Sequence, residues 1–106
     1  MIAKTLSPPY YAVIFSSIRT PGDNGYNEMS DKMVKLASAQ DGFLGVESAR
    51  DNLGITVSYW RDLESIKNWR ENFEHSVARM KGRSEWYKCF KTRIAKVERD
   101  YGFEKD

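Results

Sequence analysis

The sequence is poor in the residues that most metal and nucleophile centres use. Its 106 residues include one cysteine, Cys89, and one histidine, His75. A single thiol cannot close a disulfide within the chain, and one histidine with one cysteine cannot supply the three or four ligands of a usual zinc site. A glycine-rich phosphate loop and a dinucleotide-binding fingerprint are also missing. We therefore expect no metal and no cofactor.

Charge of one sign and long apolar runs are lacking as well. The 17 basic and 15 acidic residues are interspersed and give a net charge of +2, too weak a field to favour nucleic acid or an anionic membrane. No window is long enough to span a bilayer. The N-terminal residues contain no apolar run before Pro8 and Pro9, so no signal peptide is expected. With one unpaired cysteine, these features predict a cytoplasmic protein.

Aromatic residues, in contrast, are abundant for the length. The chain has three Trp, six Tyr and five Phe. A chain of this size forms a single domain, here residues 1–106, and buries about two thirds of its unfolded surface. Aromatic side chains supply much of the apolar area in cores and interfaces. The sequence therefore predicts an apolar surface that something must cover.

Four segments rich in β-branched and aromatic residues predict strands. They are residues 10–18, 43–50, 55–60 and 89–99. The residues from Asp51 to Gly54 have the length and chemistry of a hairpin turn, so the second and third strands are expected to pair antiparallel. A short irregular turn is expected just before the fourth strand.

Two segments have apolar residues at the three-and-four spacing of a helix with one buried stripe. The first runs from Tyr26 to about Gln40, and the second begins after Asp62, a good N-cap, and ends at Gly82. The order is therefore βαββαβ. It predicts an α+β, ferredoxin-like domain in which an antiparallel sheet carries both helices on one face.

The sheet face without helices is expected to be polar in a monomer. Strand one instead has apolar residues on both faces: Tyr10, Ala12, Ile14 and Ile18 on one, and Tyr11, Val13 and Phe15 on the other. Strand three likewise sets Ile55, Val57 and Tyr59 against Trp60. No third helix is available as a cover, so we expect a homodimer packed sheet to sheet. The alternative is that strand one has only a strong β-propensity.

Five phrases spread over nearly the whole chain point to a known family. They are residues 42–47 (GFLGVE), 54–60 (GITVSYW), 69–75 (WRENFEH), 82–87 (GRSEWY) and 97–103 (VERDYGF). Together they resemble the antibiotic biosynthesis monooxygenase (ABM) domain family. The resemblance implies a dimeric α+β barrel with a hydrophobic cleft between the helices and the sheet of each subunit. Some relatives oxygenate aromatic polyketides without metal or flavin, and others bind and degrade haem.

The resemblance implies a cofactor-independent monooxygenase acting on a small electron-rich aromatic. Without a cofactor, a phenol or hydroquinone must itself give an electron to oxygen. The protein must then hold its anion in an apolar, water-excluding pocket near a base or hydrogen-bond donor. The residues expected to contact such a substrate are Tyr59, Trp60, Trp69, Ser76 and Trp86. For the aromatic residues, core or interface packing is the alternative.

Helix geometry sorts the polar candidates of the second helix. Asn72, Ser76 and Arg79 lie along one flank of the apolar stripe, whereas His75 points away from it. Asn72 can donate and accept hydrogen bonds and Arg79 can hold a phenolate or carboxylate, so both are catalytic candidates. His75 is a third, because it matches a Glu-His pair of close relatives. A solvated histidine and a surface arginine are the alternatives.

Three other functions deserve comparison. Haem-degrading relatives carry a histidine ten residues beyond a tryptophan of the second helix, where this chain has Arg79 after Trp69, and an arginine cannot replace an imidazole ligand. RNA-recognition domains share the βαββαβ order, but strand three lacks their basic-glycine-aromatic run. A non-catalytic small-molecule binding or sensing dimer of the same fold is the main alternative, because no base is evident.

Overall fold

The computed structural model of the protein describes residues 2–79 and 85–105, with the side chains of residues 74–79 left out of the description. Its elements are β1 (Tyr10–Arg19), α1 (Tyr26–Ser38), β2 (Phe43–Arg50), β3 (Gly54–Trp60), α2 (Leu63–Arg79) and β4 (Tyr87–Val97). They form one four-stranded sheet in the order β2-β3-β1-β4, with all neighbouring strands antiparallel. The predicted α+β, ferredoxin-like βαββαβ arrangement is thus confirmed.

The strand β4 starts and ends two residues earlier than predicted. Tyr87 belongs to the strand rather than to the preceding turn, and it pairs with Arg19 beside an irregularity in the ladder. At the other end the last pair is Tyr10 with Val97, because Pro9 precedes Tyr10 and cannot continue a ladder. The partner strand, and not the local propensity of residues 98 and 99, therefore fixes where β4 ends.

Both helices bury the stripes that the sequence predicts, as far as the described side chains extend. In α1 the buried residues are Met29, Met33 and Ala37. In α2, Ile66 is buried, while Trp69 and Phe73 are partly buried against the same core. The continuation of the apolar stripe at Val77 and Met80, and the predicted end of this helix at Gly82, fall outside the described side chains and residues.

The start of α2 is fixed by two local features. Asp62 acts as the predicted N-cap, since its Oδ1 accepts a hydrogen bond from the Ser65 N–H at 2.8 Å. Gly42, the last residue of the turn into β2, has a φ of 86° and lies directly against Ser65, where a β-carbon would overlap the serine side chain. Only glycine combines that backbone conformation with such close packing, so the turn seats tightly on α2.

The two faces of the sheet follow the alternation predicted from the sequence. Tyr11 and Val13 pack toward the helices in the cluster around Trp60. Their neighbours Tyr10 and Ala12 face the other side, and both are nevertheless buried. The helix-free face is called the open face below.

The chain's own ends cover part of the open face, whereas the prediction considered only a third helix or a second copy of the chain as its cover. The N–H of Ala3 donates to Oε2 of Glu47 at 2.9 Å, and the hydroxyl of Tyr10 donates to Oδ2 of Asp100 at 2.5 Å. The two chain ends are thereby held at Ala3 and at Asp100 to one end of the sheet. At the other end Ile18 and Ile55 remain 41 % exposed, so an uncovered apolar area persists there.

Candidate functional site

Eight aromatic rings form a continuous chain of contacts on the helix side of the sheet, called here the aromatic row. Successive ring centroids lie 5.2–6.5 Å apart, the range in which offset and edge-to-face pairs are favourable. The members, in order along the row, are Phe43, Trp60, Trp69, Phe73, Phe15, Phe90, Tyr87 and Tyr26. Through its described side chains, the row joins α2 to all four strands.

Trp60 anchors one end of this row rather than lining an opening. It is completely buried, its indole N–H donates to the Ser58 hydroxyl at 2.9 Å, and its ring stacks on Trp69 with the centroids 6.1 Å apart. Trp69 is only partly buried. Trp60 therefore supports the position of Trp69, and Trp69 is the tryptophan of this pair that a ligand can reach.

The strand β4 exposes apolar side chains next to the row. Val13 pairs with Ile94 and Tyr11 pairs with Lys96, so these β4 residues lie on the helix side of the sheet. Phe90 and Ile94 are 37 % and 50 % exposed although they share a face with the core. We call the helix-side residues of this strand, Phe90, Thr92, Ile94 and Lys96, the β4 strip. The strip and the aromatic row together form an apolar surface against which a flat molecule can lie.

Tyr59 does not belong to this site, in contrast to the sequence-based prediction. It alternates with Trp60 along β3 and therefore points to the open face. There its hydroxyl donates to Oε1 of Glu47 at 2.6 Å, and its ring meets Tyr10 edge-on at 5.9 Å. The structure thus separates Tyr59 from Trp60 and Trp69 by the thickness of the sheet.

Trp86 is likewise apart from the β4 strip. It is buried with Met29 and Met33, and its indole N–H donates to the backbone oxygen of Asn24 at 2.9 Å. This contact fastens the loop before α1 to the start of β4. Trp86 is therefore packed in the core, which is the alternative given above for the aromatic residues.

Of the polar candidates on α2, only Asn72 has a described side chain. It is exposed, and its Nδ2 lies 3.4 Å from both Oε1 of Gln40 and the backbone oxygen of Asn68. Asn72 therefore faces the end of α1. The side chains of His75, Ser76 and Arg79 lie outside the described residues.

Lys96 is a helix-side cation that the sequence analysis did not select. The sequence does indicate this position, because Lys96 follows Phe90, Thr92 and Ile94 in the same every-second-residue alternation. Its ladder partner is Tyr11, a member of the half-buried helix-side surface. A lysine ammonium at this position can hold an anionic oxygen at one end of the β4 strip.

A second polar centre lies on the open face beneath the two chain ends. A groove of about 300 Å³ is lined there by residues that include Tyr10, Glu47, Tyr59 and Asp100. Burial and the hydrogen bond to Glu47 raise the pKa of Tyr59 to about 12. The same hydroxyl, together with the N–H of Ala3, lowers the pKa of Glu47. Glu47 is therefore ionised at neutral pH and holds the N-terminal segment in place.

These opposite pKa shifts predict how stability depends on pH. The lowered pKa of Glu47 gives stability that is present above its unfolded value and lost as the pH falls through the folded value. The raised pKa of Tyr59 gives stability that is present below pH 10 and lost as the pH rises toward about 12. We expect Tyr59→Phe to remove part of the alkaline loss in urea-unfolding midpoints measured across this range.

Tyr101 provides the control for this measurement. It is 93 % exposed, so Tyr101→Phe should reproduce the wild-type curve. A Tyr59→Phe curve that overlays the wild type between pH 10 and about 12 would contradict the assigned contact.

Two absences can be stated for the described parts of the chain. Among the described side chains, which leave out residues 74–84, no group of three His, Cys, Asp or Glu residues is placed to hold a metal ion. Within residues 2–79 and 85–105, no helix has both the length and the apolar character needed to cross a bilayer.

No protein-family model matches the chain. It is, however, 51 % identical over 107 residues to the uncharacterized protein YqjZ of Bacillus subtilis strain 168, and the alignment covers 99 % of this chain and 94 % of YqjZ. The chain belongs to the YqjZ family. Identity at this level over nearly the whole length extends the βαββαβ arrangement described above to YqjZ.

Solved structures place the YqjZ family among proteins of the ABM-like fold. SnoaB, a cofactor-independent oxygenase from Streptomyces nogalater, matches with a TM-score of 0.66 and 8 % identity over 92 % of this chain and all of SnoaB. PA3566 from Pseudomonas aeruginosa matches with a TM-score of 0.67 and 19 % identity, covering 91 % of this chain and 99 % of PA3566. At such identities the likeness shows the fold alone, and that part of the prediction is confirmed.

Proposed function

We propose that the chain is a cofactor-independent monooxygenase that oxidises a small electron-rich aromatic, a phenol or hydroquinone, against the β4 strip. One observation carries this function: Phe90 and Ile94 stay exposed on the helix side, in direct continuity with the aromatic row. A planar apolar substrate gains contact with aromatic rings there and loses contact with water. The ABM-like fold, which SnoaB shares, supports the choice of reaction.

The reaction needs no reactant beyond the phenol and oxygen. The phenolate gives one electron to O₂, and the resulting carbon radical and superoxide join through a new C–O bond. Loss of water then cleaves the O–O bond, so that one oxygen atom remains in the quinone product and the other leaves as water. The protein must stabilise the phenolate and exclude bulk water during this sequence.

Lys96 of the strip and side chains of α2 supply that stabilisation in our proposal. Lys96 lies on the helix side by its pairing with Tyr11, and its ammonium balances the phenolate. Asn72 and Arg79 remain candidates for a hydrogen bond and a second charge, and His75 for the rim of the site. The wall of the site consists of Trp69 and Phe90, with Trp60 behind them.

We also propose that the protein works as a homodimer joined through the uncovered end of the open face. The exposed Ile55 supports this arrangement. The partner's sheet would cover it and complete the barrel. A reducing cytoplasm is the compartment we propose, since Cys89 is exposed and unpaired.

Oxygen consumption tests the enzymatic proposal. We expect saturable O₂ uptake with a panel of substituted hydroquinones, at a rate proportional to protein concentration. Arg79→Ala and Lys96→Ala should each lower kcat/KM by about tenfold or more, because each removes a charge that stabilises the phenolate. Asn72→Ala is expected to have a smaller effect through its single amide.

Lys91→Ala is the matched control, since Lys91 lies on the same strand but pairs with Ser16 on the open face. It should retain wild-type kcat/KM. Full activity in all three site variants would show that the β4 strip is not where the reaction occurs.

A non-catalytic binding or sensing dimer is the second candidate function. Two observations favour it. The β4 strip contains no carboxylate or imidazole that could act as a base, and Asn72 faces Gln40, just after α1. Saturable binding of a hydroquinone by calorimetry, without oxygen uptake, would select this function over the oxygenase.

A further inference from the structure

Two arginines converge on one tyrosine at the end of the sheet where β2 turns into β3. The Cζ atom of Arg19 lies 3.6 Å from the ring centroid of Tyr26, and the Cζ atom of Arg50 lies 5.9 Å from the same centroid. Tyr87 meets Tyr26 edge-on at 5.7 Å. Arg19 and Arg50, called here the arginine pair, thus share one aromatic support.

Among the described residues, the groups that accept hydrogen bonds from the arginine pair are all neutral. Arg50 donates to the backbone oxygen and to the hydroxyl of Ser17, which is almost fully buried. Arg19 donates to the backbone oxygens of Gly22, Asp23 and Trp86. Hydrogen bonds to carbonyl and hydroxyl oxygens orient a guanidinium but leave its charge uncompensated.

Arg61, in contrast to the arginine pair, has carboxylate partners. Arg61 forms ion pairs with Asp41 at 3.1 Å and with Asp62 at 3.2 Å. In the described part of the chain, no carboxylate forms an ion pair with Arg19 or Arg50. Two like charges beside one ring repel each other, and a bound anion would relieve that repulsion.

Gly54 makes the position of Arg50 possible. The Arg50 side chain crosses β3 over this glycine, and a β-carbon at position 54 would overlap its Cζ, Nε and Nη2 atoms. The φ of Gly54 does not lie in the left-handed region, so an alanine there would meet no backbone strain. The glycine therefore serves to clear the path of the guanidinium toward Ser17.

A wide-open cavity of about 490 Å³ lies beside the arginine pair. Its other lining residues are Ile18, Asp51, Asn52 and Leu53. Ile18 and Leu53 offer exposed apolar surface, and Asn52 offers an amide. The two arginines outnumber the one carboxylate, Asp51, so the cavity has a net positive charge.

We propose that this cavity binds a small organic oxyanion, a carboxylate or a phosphate monoester that carries an apolar group. The guanidinium groups of Arg19 and Arg50 bind the oxygen atoms through charge-assisted hydrogen bonds. Ile18 and Leu53 contact the apolar group. The site lies at the hairpin end of the sheet, and it does not depend on the oxygenase proposed for the β4 strip.

Calorimetric titration of the full chain with benzoate, phenyl phosphate, inorganic phosphate and benzamide tests the site. We expect saturable binding of benzoate or phenyl phosphate, and the tighter of the two identifies the head group. Inorganic phosphate should bind more weakly, because it lacks an apolar group. Benzamide, the neutral counterpart of benzoate, should not bind.

Three substitutions locate the binding. Arg50→Gln should weaken it by about tenfold or more. Gly54→Ala should cause a similar loss, because the new methyl group displaces the guanidinium while the charge stays in the molecule. Arg61→Gln, the same kind of change at an arginine already paired with carboxylates, should leave the affinity unchanged.

Thermal unfolding with a single transition establishes that each variant is folded. Wild-type protein that binds neither organic anion would overturn the site. So would undiminished binding in Arg50→Gln, or an equal loss in Arg61→Gln, since the latter reports net charge rather than a particular cavity. Equal affinity for inorganic and phenyl phosphate would overturn the role of Ile18 and Leu53.

Discussion

Trp60→Ala is expected to lower the free energy of unfolding by about 3–5 kcal/mol, as for other fully buried aromatic side chains. The indole is 0 % exposed, stacks on Trp69, meets Phe43 edge-on and donates a hydrogen bond to Ser58. Alanine would leave a cavity at the junction of β3, α2 and the turn before β2. Because domains of this size are stable by about 5–15 kcal/mol, much of the folding free energy is at stake.

Urea unfolding followed by far-UV circular dichroism measures this loss without relying on the removed fluorophore. Leu63→Ala is the control, because Leu63 is an exposed apolar residue at the start of α2 and its truncation should change stability by no more than about 0.5 kcal/mol. Similar losses in the two variants would show that Trp60 does not anchor the aromatic row. In that case the support proposed for Trp69 would fail with it.

The burial of Trp60 and the placement of its neighbour Tyr59 illustrate what strand alternation can predict. Alternation along β3 assigns the two residues to opposite faces from sequence alone, and the structure agrees. It does not say which face holds a ligand, and the structure places Tyr59 across the sheet from Trp60 and Trp69, with which the prediction grouped it. The partner of Tyr59, Glu47, comes from a neighbouring strand, and only the pairing of β2 with β3 brings it there.

The cover over the open face could not be predicted because its contacts are long-range and lack periodicity. The hydrogen bond from Ala3 to Glu47 joins residues 44 apart in sequence, and that from Tyr10 to Asp100 joins residues 90 apart. Neither chain end has the alternation of a strand or the stripe of a helix. Local patterns therefore identified the sheet and its apolar faces but not the segments that cross one end of it.

The candidate sites show the same limit. An ideal helix predicts only the direction of Asn72, on the flank of the apolar stripe. Its hydrogen-bond partner Gln40 lies just after α1, and the helical pattern does not predict that contact. Gly54 reads in the sequence as the last residue of a turn. Its role in admitting Arg50 depends on the register of β1, β2 and β3 together, since Arg50 crosses β3 to reach Ser17 on β1. A site built from residues of three strands can be identified only when the pairing of those strands is known.

Ile55→Asp is expected to convert the protein from a dimer to a monomer at micromolar concentration. In the single chain Ile55 is 41 % exposed, so a carboxylate there can remain in water and the subunit should stay folded. In the proposed dimer the same position is buried against the partner's sheet, where an unpaired charge is costly. Sedimentation velocity measures the change, and far-UV circular dichroism checks that the fold is retained.

Position 55 is preferable to position 18, because Ile18 also lines the cavity beside the arginine pair. Val34→Asp is the matched control: Val34 is 44 % exposed and lies on α1, so the same charge placed away from the open face should leave the dimer intact. A wild-type protein that sediments as a monomer would contradict the proposed dimer itself. An Ile55→Asp protein that remains dimeric would move the interface elsewhere, and the uncovered apolar end of the sheet would then need another partner.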